Sequence, residues 1–191
     1  MPTLAKQASA FERLRNILSR FSYRRVLSHG MDEFTVTCRG RKDTARVAAA
    51  IAPLLRPGDA IMLKGALAGG KTAFVQELVA ALGSDAEVTS PTFTLAHFYP
   101  TPAGTFLHID AYRLSSIAEF RDLALADYVS ESITAVEWGD IVAEDFPNAL
   151  SIDFEFVEKQ DNWRKLTLCA SSERWQPILS SLSMELSHLQ V

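Results

Sequence analysis

Apolar and polar side chains alternate over residues 34–38, Phe34-Thr35-Val36-Thr37-Cys38, the period-two mark of a half-buried strand. The same alternation returns over residues 150–157 and 163–169, and Asp161-Asn162 between them predicts an antiparallel hairpin. Apolar stretches starting at Ile61, Phe106 and Ile133 predict three further strands, the last of them buried. Another strand is expected to leave a hydroxyl-rich turn after Val88 and run to Tyr99, with residues 100–104 as its hairpin connection. Helical spacing puts Val47, Ala48, Ile51 and Leu55 on one face of residues 44–55, with Asp43 as N-cap and Pro57-Gly58-Asp59 as the stop. It likewise groups Phe74, Leu78, Ala81 and Leu82 on a helix starting at about Gly70 and stopping at Gly83. Two more helices are predicted over residues 116–128 and 172–189, the second carrying Trp175, Ile178, Leu179, Leu182 and Leu186. Helices follow strands in the first half and hairpins gather in the second. That order predicts an α/β fold with a mixed central sheet.

The strand at Ile61 ends in Gly65-Ala66-Leu67-Ala68-Gly69-Gly70-Lys71-Thr72, which has the spacing of a complete phosphate-binding loop between a strand and a helix. Gly65 lets the chain turn sharply, and Gly70 lets the backbone pass close to a phosphate. The N–H groups from Ala66 to Gly69 then form an anion nest, reinforced by the N-terminal dipole of the following helix. Lys71 supplies a charge for the outer phosphates and Thr72 a hydroxyl for a magnesium ion. The competing reading, a glycine-rich turn without function, leaves that strand and helix context unexplained.

Turnover needs more than a phosphate grip: carboxylates must hold metal or place the attacking oxygen. Two apolar strands end in acids, Asp110 and Glu137, and either is a candidate for magnesium, directly or through water. Ser90 and Thr92 lie in a turn suited to close over a terminal phosphate, unless they serve only to cap that turn. Trp138 reads equally as packing or as a stacking surface. His108, alone on its strand, reads as a structural residue.

Composition narrows the field. The chain of 191 residues has 48% hydrophobic and 22% charged side chains, which suits one soluble globular domain. A net charge of −4 and a pI near 5.6 disfavour autonomous nucleic-acid binding. Cys38 and Cys169 lie far apart without metal-ligand spacing, as in a reduced cytoplasmic protein. No membrane contact is expected, since the longest apolar patch is interrupted by Pro53.

Residues 1–30 stand apart. Lys6, Arg13, Arg15, Arg20, Arg24 and Arg25 face Glu12 alone, a balance of +5 that leaves −9 for the remainder. Leu4, Ala8, Phe11, Leu14, Leu18 and Phe21 recur at helical spacing. Four readings compete: a transit-like leader, a basic docking helix, a poorly ordered extension, and a stretch upstream of translation from Met31. The expectation is an extension dispensable for the chemistry, ahead of a single domain over residues 31–191.

Four ordered motifs carry a resemblance over about residues 34–170. They are the loop Gly65 to Thr72, Thr89-Ser90-Pro91-Thr92-Phe93-Thr94-Leu95, His108-Ile109-Asp110-Ala111-Tyr112-Arg113-Leu114, and Val136-Glu137-Trp138. In that order they resemble the bacterial TsaE (YjeE) family, ATPases of the pathway that makes threonylcarbamoyladenosine beside the anticodon of tRNA. The resemblance implies a P-loop NTPase-like three-layer fold and magnesium-dependent hydrolysis of ATP in concert with TsaB-like and TsaD-like partners. Contact with tRNA would be indirect. Carried over by motif, Gly65 to Thr72 hold the phosphates, with Thr72 also on the metal. Ser90 and Thr92 form the switch-like turn, Asp110 positions metal or water, Glu137 is the Walker-B-like acid, and Trp138 flanks the nucleotide. The family's loop usually reads Gly-Asp-Leu-Gly-Ala-Gly-Lys-Thr-Thr, whereas this chain has Ala66, Ala68 and Ala73 at its Asp, second Gly and second Thr. Rival readings are a small P-loop kinase and a nucleotide-regulated binding module with little turnover. A GTPase fits less, for want of an Asn-Lys-x-Asp guanine reader.

Overall fold

A computed structural model of the protein describes residues 32–190. The basic stretch at residues 1–30 and its four readings lie outside them. Seven strands form one sheet: β1 (Asp32–Cys38), β2 (Ala60–Gly65), β3 (Ala96–Thr101), β4 (Gly104–Asp110), β5 (Ile133–Glu137), β6 (Leu150–Val157) and β7 (Gln160–Ala170). Their order across the sheet is β1-β7-β6-β2-β5-β4-β3. The four central strands, β6, β2, β5 and β4, run parallel; β7 and β1 on one flank and β3 on the other pair antiparallel. This is the mixed sheet the sequence predicts.

Strand composition explains the arrangement. Ala60 to Leu63 of β2 and all five residues of β5 are buried, as strands covered on both faces require. One face packs against α1 (Arg41–Ile51), α2 (Lys71–Ala81) and α5 (Gln176–Glu185), around Val47, Ile51, Phe74, Leu78, Trp175 and Leu182. The other carries a smaller core of Met62, Leu107, Ile109, Val136, Phe120 and Val142 under α3 (Ile117–Asp122) and α4 (Ala126–Glu131). Helices on both faces make three layers. No helix among the described residues is long and apolar enough to cross a membrane. Both cysteines are free, and burial pushes the Cys38 thiol up to about 11.

Several element boundaries differ from the sequence expectations, four of them for a clear physical reason. Asp43 is not the N-cap of α1: the helix starts after Gly40, and the Asp43 carboxylate reaches back to accept from the Arg39 N–H at 2.9 Å. An acid in the first turn thereby covers a free donor ahead of the helix. The helix expected over residues 116–128 is two, α3 and α4, separated by Ala124 at φ 53°. That left-handed residue allows Leu123, Leu125 and Val129 all to reach the smaller core. The β6–β7 turn falls at Glu158-Lys159, with Lys159 at φ 60°, so Asp161 and Asn162 lie within β7. Finally, α5 begins at Gln176, where Pro177 occupies a first-turn position that needs no N–H donor.

Candidate functional site

Central β2 runs into the loop at residues 65–70, and neighbouring β5 and β4 end beside it in Glu137 and Asp110. Parallel pairing sets Leu63 opposite Glu137 and Glu137 opposite Asp110, so the two acids are neighbours on the carboxyl edge of the sheet. In an open parallel sheet, that edge is where ligands bind. Residues 67–72, Ser90, Thr92, Asp110, Glu137 and Trp138 line one cavity of about 310 Å³, joined by Ala73 and Tyr112. Gly65 and Ala66 do not line it; their carbonyl oxygens take part from behind.

Gly65 sits at φ 122°, and a Cβ there would collide with the carbonyl oxygen of Phe154 on β6. Only glycine lets the two backbones approach so closely. The Gly69 N–H donates to the Ala66 carbonyl at 3.0 Å, and Gly70, at φ 106°, leads into α2. Ala68 also lies in the left-handed region, at φ 59°, where an L side chain is strained. Lys71 is buried, and its Nζ donates to the carbonyls of Gly65 at 2.8 Å and Ala66 at 2.9 Å while lying 3.9 Å from the Trp138 ring centre. Burial draws its pKa below the ordinary lysine value, against the opposing pull of Glu137 and then Asp110. Arg164 of β7 holds the loop's outer bend, donating from Nε to the Gly69 carbonyl at 2.9 Å and from Nη2 to the Ala68 carbonyl at 3.3 Å.

The two acids are held differently. Glu137 Oε1 accepts from Thr72 Oγ1 at 2.7 Å and from His108 Nε2 at 3.0 Å, and no described residue donates to Oε2. Both oxygens of Asp110 are engaged. Oδ2 accepts from Thr92 Oγ1 at 2.7 Å and Ser90 Oγ at 3.4 Å, and Oδ1 from the Tyr112 N–H at 3.0 Å. Asp110 thus fastens the Ser90–Thr92 turn to the sheet, whereas Glu137 keeps an oxygen for a further partner. A hydroxyl and carboxylates are the hard oxygen donors magnesium takes when phosphate oxygens complete its shell. The residues present fit that ion, with Thr72 and Glu137 best placed. Trp138, at φ 58°, meets the Tyr112 ring at a tilt of 54° with ring centres 5.1 Å apart, and both line the cavity.

Two residues here were given no role from the sequence, and a third, His108, was expected to be structural; it shares the face of Asp110, two residues on along β4, and bonds Glu137. Tyr112 stood in a quoted motif without a role. Arg164 carried no local signal, because only the sheet order brings β7 to the loop.

A family model described as threonylcarbamoyl adenosine biosynthesis protein TsaE matches residues 38–166. The chain is 42% identical over 110 residues to the tRNA threonylcarbamoyladenosine biosynthesis protein TsaE of Treponema pallidum, covering 57% of this chain and 81% of that one. To the protein of the same description from Streptomyces coelicolor it is 39% identical over 131 residues, covering 65% and 88%. The crystal structure of Bacillus subtilis YdiB superposes with a TM-score of 0.61 at 26% identity, over 84% of this chain and 98% of that one.

Proposed function

The chain belongs to the TsaE family of threonylcarbamoyl adenosine biosynthesis proteins, and on that premise we propose that it is a magnesium-dependent ATPase of tRNA threonylcarbamoyladenosine formation. It works in the cytoplasm with TsaB-like and TsaD-like partners and meets tRNA only through them. The observation that carries the reading is the convergence of the phosphate loop, the Thr72–Glu137 pair and Asp110 on one sheet edge.

The loop N–H groups and the start of α2 receive the phosphates. Lys71 exchanges the carbonyls of Gly65 and Ala66 for phosphate oxygens, so its charge, already stripped of water, needs little further desolvation. Thr72 and Glu137 hold magnesium, which when bound neutralises charge developing on the transferred phosphoryl group. Asp110 positions Ser90 and Thr92 over the outermost phosphate and orients the attacking water, while Tyr112 and Trp138 exclude bulk water from that side. Hydrolysis then drives or resets the partners' cycle without touching the modified base.

A second reading, a nucleotide-regulated binding module with little turnover, is favoured by Ala68, held at φ 59° where the family loop has glycine. Measuring ATP turnover with magnesium, alone and with TsaB and TsaD added, separates the two. Stimulation by the partners, reduced at least about 100-fold in Glu137→Ala, is the outcome expected of an ATPase. ATP that binds but is never hydrolysed would leave the binding module.

A further inference from the structure

His108 is fully buried on β4, the strand beside the β3 edge, between Leu107 and Ile109, with Ala135 of β5 and His97 of β3 as its cross-strand partners. The imidazole leaves Nδ1 buried with no partner among the described residues. Half of its hydrogen-bonding capacity is thus lost, and the half that remains is the bond from Nε2 to Glu137 Oε1. A carboxylate only accepts, so Nε2 is the donor in this bond.

The same oxygen accepts from Thr72. Oε1 is therefore fixed from two directions, by the first turn of α2 and by β4. This leaves Oε2 as the oxygen that no described residue engages, on a side chain lining the cavity. With Thr72 alone as its donor, the carboxylate could rotate and offer either oxygen. With His108 in place it has one arrangement.

We propose that His108 is a positioning residue, which holds the Glu137 carboxylate so that Oε1 stays on Thr72 and Oε2 is presented to magnesium and the phosphates. The proposal rests on the ATPase reading of the cavity. It makes His108 part of the metal's support, one bond behind the ligand, where groups that orient a ligand affect metal affinity and turnover together.

The test compares His108→Phe, which keeps a ring and loses both nitrogens, with His108→Gln, whose amide nitrogen reaches about as far as Nε2. Three quantities are read on the full chain: kcat and KM for ATP with partners present, the magnesium concentration needed for half-maximal binding of a fluorescent non-hydrolysable ATP analogue, and affinity for the analogue without metal. For His108→Phe, kcat should fall about 10- to 100-fold and the half-maximal magnesium concentration should rise about tenfold. Its KM for ATP and metal-free affinity should stay within about twofold of wild type. His108→Gln should recover kcat to within about fivefold of wild type. If His108→Phe is insoluble, His108→Asn replaces it, because its amide stands near the Nδ1 position and falls short of Glu137.

Unchanged magnesium dependence in the donor-less variant would overturn the proposal, as would His108→Gln falling as far as His108→Phe, which is the signature of packing alone. Wild-type protein that binds no nucleotide would bring down the ATPase reading and this proposal together. Wild-type protein that binds magnesium nucleotide no differently from His108→Phe would bring down this proposal alone.

Discussion

One wall of the cavity, the loop at residues 65–72, is held from behind by the close approach of Gly65 to Phe154, by Lys71 on two carbonyls and by Arg164 on two more. The opposite wall, the turn around Ser90 and Thr92, hangs from Asp110 by hydroxyl contacts and leaves Phe93 82% exposed. The first wall is secured through backbone atoms that have nowhere else to go. The second has one backbone bond to the sheet, from the Asp110 N–H to the Leu95 carbonyl, and is otherwise tied through rotatable hydroxyl side chains, a kind of attachment that opens at lower free-energy cost. On the proposed function, the two walls would have separate tasks: a grip formed before nucleotide arrives, and a cover able to respond to what has been gripped.

Attacking the grip at its tightest point should have the largest effect. Gly65→Ala forces a Cβ against the Phe154 carbonyl at a φ unsuited to alanine, and should lower unfolding free energy by about 3–5 kcal/mol in denaturant titrations. A smaller loss would mean the loop can slide, and the contrast between the walls would fade. Lys71→Ala removes the charge together with one of the loop's three supports, and should weaken ATP binding on the order of 100-fold by calorimetry. Unchanged affinity would put the nucleotide elsewhere. On the other wall, Thr92→Val deletes the shorter hydroxyl contact to Asp110 and should slow turnover about tenfold, with melting temperature and ATP affinity unaffected. A fall in affinity instead would make the turn part of the grip. The smallest effect is expected from Ala68→Gly, which relieves a left-handed alanine and should raise stability by about 1 kcal/mol. Faster turnover in that variant would trace slow hydrolysis to a stiff loop.

The grip was legible in the chain because its requirements are local. The spacing of Gly65, Gly70, Lys71 and Thr72 between an apolar strand and a helix states both the contour and the charge. Asp110 and Glu137 were legible for a related reason, each closing an apolar strand, but their difference was not. Which acid keeps an oxygen depends on Thr92, Tyr112, Thr72 and His108, brought together from three stretches of the chain. The helix over residues 116–128 misled because its apolar spacing survives the break at Ala124, whose left-handed backbone has no glycine to announce it. The hairpin turn was misplaced because Asp161-Asn162 has better turn chemistry than Glu158-Lys159, yet sheet register favours the latter. Arg164 shows the general limit: a side chain that acts across strands distant in sequence leaves no periodic trace.

The ammonium of Lys71 against the Trp138 ring has a practical consequence. Of the three tryptophans, Trp175 is fully buried in the larger core, and Trp163 lies under Arg39 and does not line the cavity. Trp138 is the indole in the cavity wall. On the proposed function, drawing Lys71 from its ring face onto a phosphate would change the electric field across that chromophore, and the emission spectrum of unlabelled protein would become a clock for nucleotide arrival and departure.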